Sequence, residues 1–370
     1  MRGLWVAVVL AACGHELSPL VAPDSEDERI FQAAVADYEA ERFATAEAQF
    51  QEIVGAFPES PRHAEAWYLA GRCRFELGDY PGALETLGTL RAVHPGSRYD
   101  VNAIYYIARS HAELLRWPEA EAELRDVLAA DPDEAYADNA HYWLGRALFE
   151  QLRYGEAQVE LDRVLAIQPR SDVFLDAAYY LGRSRYGVLS FDPAIQAFRM
   201  VLAIGPWSSW ADNAQFWIGR TEYERRRMDD AVRELTLAEL YFDSDYLDDT
   251  RYYLGRAQYD RNRFAEAIPP FQRLAELGAS SWRDNGLYYL GRSQYQVADH
   301  AGALTSFATL VREAPLSEYA DNALYWEVRI HQETGDCPGA LVTLAELRQS
   351  YPTSAYVDDA ARYLADRGCQ

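Results

Sequence analysis

Arg146 lies four residues after Tyr142 and three before Phe149, with Asn139 three residues ahead of the tyrosine. On a helix these four share one face. The same stripe recurs as Asp176-Tyr179-Arg183-Tyr186, Asn213-Phe216-Arg220-Tyr223, Asp249-Tyr252-Arg256-Tyr259 and Asn285-Tyr288-Arg292-Tyr295, and Tyr105 with Arg109 keeps the register. Such a set suits recognition. A guanidinium fork grips carboxylates or carbonyls, and tyrosine offers wide contact with few rotamers to freeze. All 35 basic residues are arginine, so chemistries needing lysine are excluded, from Schiff bases to phosphate-binding loops. No GxSxG, HExxH, CxxC or calcium-loop spacing occurs, and the chain reads as a non-enzyme with no cofactor and no metal. His63, His94, His111, His141, His300 and His331 hold unrelated repeat positions, so nothing in the sequence brings two of them together.

The bland reading of the stripe is structural: the arginines pair with Asp or Glu of neighbouring helices, and the tyrosines fill space between repeats. The aromatic that follows the tyrosine position, Trp143, Trp217 or Trp326, lies with Ala140, Leu144 and Ala147 on the opposite stripe, which packs on the next helix. Arg225-Arg226-Arg227 reads as a solvated helix end. With 58 acidic residues and a net charge of -23, the chain repels nucleic acid at long range, while an arginine row would be locally basic.

The stripe is positioned by a repeat. Gly-Arg or a near equivalent recurs at 71, 108, 145, 182, 219, 255, 291 and 328, at spacings of 37 or 36. Nine copies carry an alanine (Ala46, Ala83, Ala120, Ala157, Ala194, Ala231, Ala267, Ala303, Ala340) and, four residues later, Phe or Leu. Proline closes most units, with Phe242 and Gly278 in its place in two copies. Each unit predicts two helices. Helix B carries the alanine and stops at the proline. Helix A starts at a capping serine (Ser60, Ser97, Ser171, Ser208, Ser244, Ser280, Ser317, Ser354), carries Asp in its first turns and runs about four turns through Gly-Arg. The copies at about 240–290 are expected to couple most weakly, since they lack the proline, are one residue shorter, and carry Gly286 where others have alanine.

Leu144, Gly145, Ala157, Leu161 and Pro169, with Tyr154 opening helix B, resemble the tetratricopeptide repeat pattern over residues 26–370. The resemblance implies an all-α, right-handed α-solenoid of about nine repeats, with helix A lining a groove that presents the stripe. The extra three residues per unit, and the entry Pro315-Leu316-Ser317-Glu318-Tyr319, resemble a narrower group of envelope lipoproteins of the BamD and CpoB type.

Met1 to Ala12 read as a signal peptide whose nine-residue apolar run is too short to span a bilayer. Leu10-Ala11-Ala12-Cys13 resembles a lipobox, which implies that Cys13 carries the lipid anchor. Residues 13–25 read as the anchor and a tether. The resemblance to lipoproteins, which commonly carry Asp after the cysteine when held at the inner membrane, implies with Gly14 in that place the periplasmic face of the outer membrane. In that oxidising compartment Cys337 and Cys369 are expected to form a disulfide, since the start of one helix lies beside the end of the next antiparallel one. The alternative is two unrelated thiols, while Cys73 stays reduced and buried. The expected function is an anchored scaffold for proteins of envelope assembly. The alternatives are a peptidoglycan or exported-polysaccharide module and a regulatory subunit of an envelope hydrolase.

Overall fold

The computed structural model describes residues 25–369 apart from 131–136, 168–170, 242 and 279. The signal peptide and Cys13 lie outside the described residues, as does all of the tether but Ser25. The described residues form nineteen α-helices and no strand. They fall into two units that divide between Ser190 and Phe191, although the 37-residue repeat runs across that point unchanged.

The first unit contains α1 (Glu26–Glu39), α2 (Phe43–Ala56), α3 (His63–Glu76), α4 (Tyr80–Val93), α5 (Asp100–Glu113), α6 (Trp117–Ala130), α7 (Ala137–Glu150), α8 (Tyr154–Ala166) and α9 (Phe174–Gly187). The second contains α10 (Phe191–Ile204), α11 (Ala211–Glu224), α12 (Met228–Ala238), α13 (Leu247–Asp260), α14 (Phe264–Ala275), α15 (Arg283–Gln296), α16 (His300–Glu313), α17 (Ala320–Glu333), α18 (Cys337–Ser350) and α19 (Tyr356–Ala365). Odd-numbered helices are helix A and even-numbered ones helix B. Within each unit consecutive helices pack as a solenoid does, and helix A also touches the next helix A in pairs such as α7 with α9 and α13 with α15.

The repeat's invariant residues explain that packing. The nine helix B alanines are fully buried, as are Phe50, Leu87, Leu124, Leu161, Phe198, Leu235, Phe271 and Phe307 one turn on. The large residue lies directly on the glycine of the Gly-Arg pair. A Cβ at Gly145 would come within 2.6 Å of Leu161, and one at Gly255 within 2.5 Å of Phe271. Glycine therefore sets how closely helix A approaches helix B.

Each A-to-B connection turns through one residue of positive φ: Glu41, Gly78, Leu115, Leu152, Leu189, Arg226, Asn262, Ala298 and Gly335. This left-handed position after a helix normally favours glycine. Only two of the nine are glycine, which is why the sequence showed no obvious stop signal there.

The serines do not cap helix A directly. Each helix A begins two or three residues later, and Ser60 and Ser317 take the backbone N–H of Arg62 and Tyr319 at 3.1 and 3.3 Å. The hydroxyl then donates backward across the repeat. Ser171 donates to Asp138 at 2.6 Å, Ser317 to Asp284 at 2.6 Å and Ser354 to Asp321 at 2.6 Å. The first-turn aspartates therefore also bind the next repeat. Just before and within the window at 240–290, α12 and α14 are the shortest helices B among those described, and Pro269 and Pro270 lie inside α14. Those prolines remove two backbone donors from the helix.

Candidate functional site

The arginine row lies on the helix A face, and its guanidinium groups meet aromatic rings more than carboxylates. Seven of these arginines lie against an aromatic ring one repeat further along the chain, and Arg109 and Arg183 also lie against Phe75 and Phe149 one repeat earlier. Arg72 lies 4.9 Å from the Tyr106 ring centre, Arg109 5.1 Å from Trp143 and Arg146 5.4 Å from Tyr180. In the second unit Arg220 lies 4.0 Å from Tyr253, Arg256 4.3 Å from Tyr289, Arg292 4.0 Å from Trp326 and Arg329 5.1 Å from Tyr363. A planar cation over a ring face is attracted by the ring quadrupole. The row is thus a clasp between repeats.

For three arginines of the row the carboxylate partner lies on the same helix rather than on a neighbouring one. Arg220 meets Glu224 at 3.1 Å, Arg256 meets Asp260 at 3.7 Å and Arg329 meets Glu333 at 3.3 Å. Of the three aromatics read onto the opposite stripe, Trp143 and Trp326 are buried and Trp217 is half-buried, and Trp143 and Trp326 also receive guanidinium groups. Arg109 and Arg146 lie 5.1 and 5.0 Å from Trp143, and Arg292 and Arg329 lie 4.0 and 4.6 Å from Trp326. The signal that would have found this is an aromatic 33 or 34 residues after each arginine.

The tyrosine positions serve the same clasp. Tyr105, Tyr142, Tyr179, Phe216, Tyr252 and Tyr288 are all buried, so they do not offer open ring faces. Arg183, Arg256 and Arg292 each donate to the hydroxyl of the tyrosine four residues earlier at 2.9 Å. Tyr105 reaches Asn139 at 3.4 Å, and Asn322 bridges the hydroxyls of Tyr288 and Tyr356 at 3.0 and 2.9 Å. Burial drives the Tyr142 hydroxyl above its ordinary range. On the same stripe Asp249 is pushed up to about 6, by burial first and then by the neighbouring charge of Asp248.

What reaches solvent is the edge of the row. Arg109, Arg146, Arg183, Arg220, Arg256 and Arg292 are partly buried, as are Asn139, Tyr186 and Tyr223. Tyr223 donates to Asp260 of the next repeat at 2.7 Å. The arrangement can offer guanidinium edges, amides and carboxylates in alternation, a pattern that matches the donors and acceptors of a polypeptide.

Two further placements bear on chemistry. Cys337 and Cys369 are joined, with α-carbons 5.5 Å apart, tying the start of α18 to the chain just past α19. Cys73 is free and buried in α3, and burial pushes its thiol up to about 12, far from a reactive range. The histidines are not all apart: His63 Nδ1 lies 2.7 Å from His94 Nε2, because the end of α4 folds back beside the start of α3. His63 Nε2 lies 3.1 Å from the Val54 carbonyl, which can only accept, so a neutral His63 donates there and accepts from His94. Among the described residues no group of three or more His, Cys, Asp or Glu is placed to hold a metal ion, and no helix is long and apolar enough to cross a membrane.

No curated protein matches the chain. Among solved structures, the apo form of RapI is 11% identical, covers 92% of this chain and 99% of its own, and superposes with a TM-score of 0.57. A tetratricopeptide repeat protein from Parabacteroides merdae is 13% identical over 72% of this chain and 98% of its own, with a TM-score of 0.49. PilF of Pseudomonas aeruginosa is 18% identical over 61% of this chain and 97% of its own, with a TM-score of 0.45. One tetratricopeptide repeat model matches residues 31–92, 105–172 and 248–281, and a second matches 286–317, together more than half of the chain. With helix pairs stacked at this period, the chain belongs to the tetratricopeptide repeat family.

Proposed function

We propose that this protein is a lipid-anchored scaffold of the bacterial envelope, of the BamD and CpoB type, that docks segments of partner proteins along the helix A face. The observation that carries the docking face is the row of arginines fixed at one edge by aromatics of the next repeat and open at the other. A clasped side chain has already lost its rotamer freedom, so a partner meets a preorganised row. The same burial argues against sugars as the ligand. Stacking on a sugar ring needs an exposed aromatic face, and the rings of the row face guanidinium groups or one another.

The address rests on Leu10-Ala11-Ala12-Cys13, while the net charge of -23 disfavours a polyanionic partner. Acylation at Cys13 would place the array at the periplasmic face of the outer membrane and raise its effective concentration there. Replacing Cys13 by Ser tests this address. The variant is expected to lose palmitate incorporation and leave the membrane pellet, and unchanged labelling would refute the anchor.

A further inference from the structure

Glu327 breaks the pattern of its own repeat position. The equivalent residues are Ala70, Ile107, Leu144, Leu181, Ile218, Leu254, Leu290 and Leu364, every one apolar. Glu327 nevertheless keeps the buried place, at 8% exposure, and its Oε1 has no hydrogen-bond partner among the described residues. An unpaired carboxylate in such a place is strongly disfavoured unless something meets it. Burial, with a smaller contribution from the charge of Glu346, pushes its carboxyl up to about 8.

The residue lines a cavity of about 810 Å³ formed by the end of α16, the loop that follows, α17 and α18. Glu318, Asp321, Glu327 and Glu346 line it against one cation, Arg312, whose side chain is 67% exposed and meets Glu313 at 3.0 Å. Asp321 is already engaged by the Ser354 hydroxyl and the Asn322 N–H. Between the carboxylates lie Val311, Leu316, Leu324 and Tyr351.

We propose that this cavity binds an organic cation, the ammonium or guanidinium head of a lysine or arginine side chain presented by a partner protein. Glu327 meets the head from within, Glu346 and Glu318 flank it, and Val311, Leu324 and Tyr351 take the methylene stem. The cation is organic because the carboxylates surround a wide, partly apolar space and, among the described residues, do not converge as metal ligands do. The cavity lies apart from the arginine row, so this site and the docking face stand or fall separately. Entry of the cation ionises Glu327, whose proton leaves to solvent. The charged groups that face it are Glu346 from α18, Asp321 of α17, Glu318 of the loop and Arg312 from α16.

The test is calorimetric titration of the full chain with a short peptide carrying one arginine or lysine, against its citrulline or acetyl-lysine counterpart and against Mg²⁺ and Ca²⁺. At pH 6.5 the cationic peptide is expected to bind with release of close to one proton. Glu327→Leu, which restores the residue of the other repeats, should raise the melting temperature, weaken that binding at least tenfold and abolish proton release. Equal binding by wild type and Glu327→Leu, equal binding of charged and neutral peptides, or a response to the divalent ions alone would each overturn the proposal. Because Glu327→Leu is expected to be the more stable protein, its loss of binding cannot be ascribed to unfolding.

Discussion

Arg256 gives the clearest measure of the clasp. Its guanidinium lies 4.3 Å from the Tyr289 ring centre, donates to the Tyr252 hydroxyl at 2.9 Å and stands 3.7 Å from Asp260. The side chain is 22% exposed and its Nε is buried without a hydrogen-bond partner among the described residues. A partly desolvated cation–ring contact contributes about 1–2 kcal/mol. The hydroxyl bond adds about 1 kcal/mol, and the rim carboxylate at most about 0.5. Removing the unpartnered Nε returns about 1 kcal/mol. Arg256→Met, which keeps most of the apolar stem, should therefore destabilise by about 2 kcal/mol, with Arg256→Lys intermediate because the fork is lost and the charge kept. The ring contact is isolated by a double-mutant cycle with Tyr289→Leu, read from urea unfolding followed by helicity. An array need not unfold in one step, so hydrogen exchange in α13 and α15 supplies a second reading. A coupling energy of about 1 kcal/mol is expected, and one below about 0.3 kcal/mol would refute the idea that the arginines join repeats.

Three other outcomes follow from the same geometry. Leu152 turns the chain at φ 61° and is 71% exposed, so Leu152→Gly should raise stability by about 0.5–1 kcal/mol, read as a higher melting temperature. Reduction of Cys337–Cys369, separated by 32 residues, should lower stability by roughly 3–4 kcal/mol in the chain-entropy relation, and thiol counting on denatured protein should give one free thiol from Cys73 among the described residues. Burial, then the charge of His63, lowers the His94 pKa from 6.5, so the unfolded chain takes up this proton first; stability from this pair is full above about 6.5 and falls as the pH drops, a decline that His94→Asn should flatten in a pH series of melting temperatures.

The repeat was legible because its signals are local and recur. Alanine at fixed period, the large residue one turn on and glycine beneath it are each set by one close contact, as with Ala157, Leu161 and Gly145. The helix starts lie later than the serines suggest because Ser171 accepts from the Val173 N–H in the turn before the helix while donating to Asp138 behind it, and the sequence does not show that second partner. The stripe was found and its surroundings were not. Tyr142 and Arg146 share a face by helical geometry, but Trp143 meets Arg109 only because successive helices A pack side by side. The left-handed turns carry no sequence signal because backbone hydrogen bonds, such as that from the Arg153 N–H to the Leu148 carbonyl at 2.9 Å, hold the exposed Leu115, Leu152 and Leu189 where glycine would signal a stop. His63 and His94 met for a similar reason, as helix ends close in space carry no common spacing.

Site-specific crosslinking tests the docking face most directly. A photoreactive residue in place of Tyr223, on the edge of the arginine row, is compared in the anchored protein with one in place of Val159, which is 53% exposed on helix B. The account predicts discrete protein adducts at position 223 and none at 159, with the Tyr223 adducts lost when Arg220 and Arg256 are also changed to Met while the variant remains folded. Adducts to cell-wall glycan, the same adducts from both positions, or adducts indifferent to the arginines would contradict it.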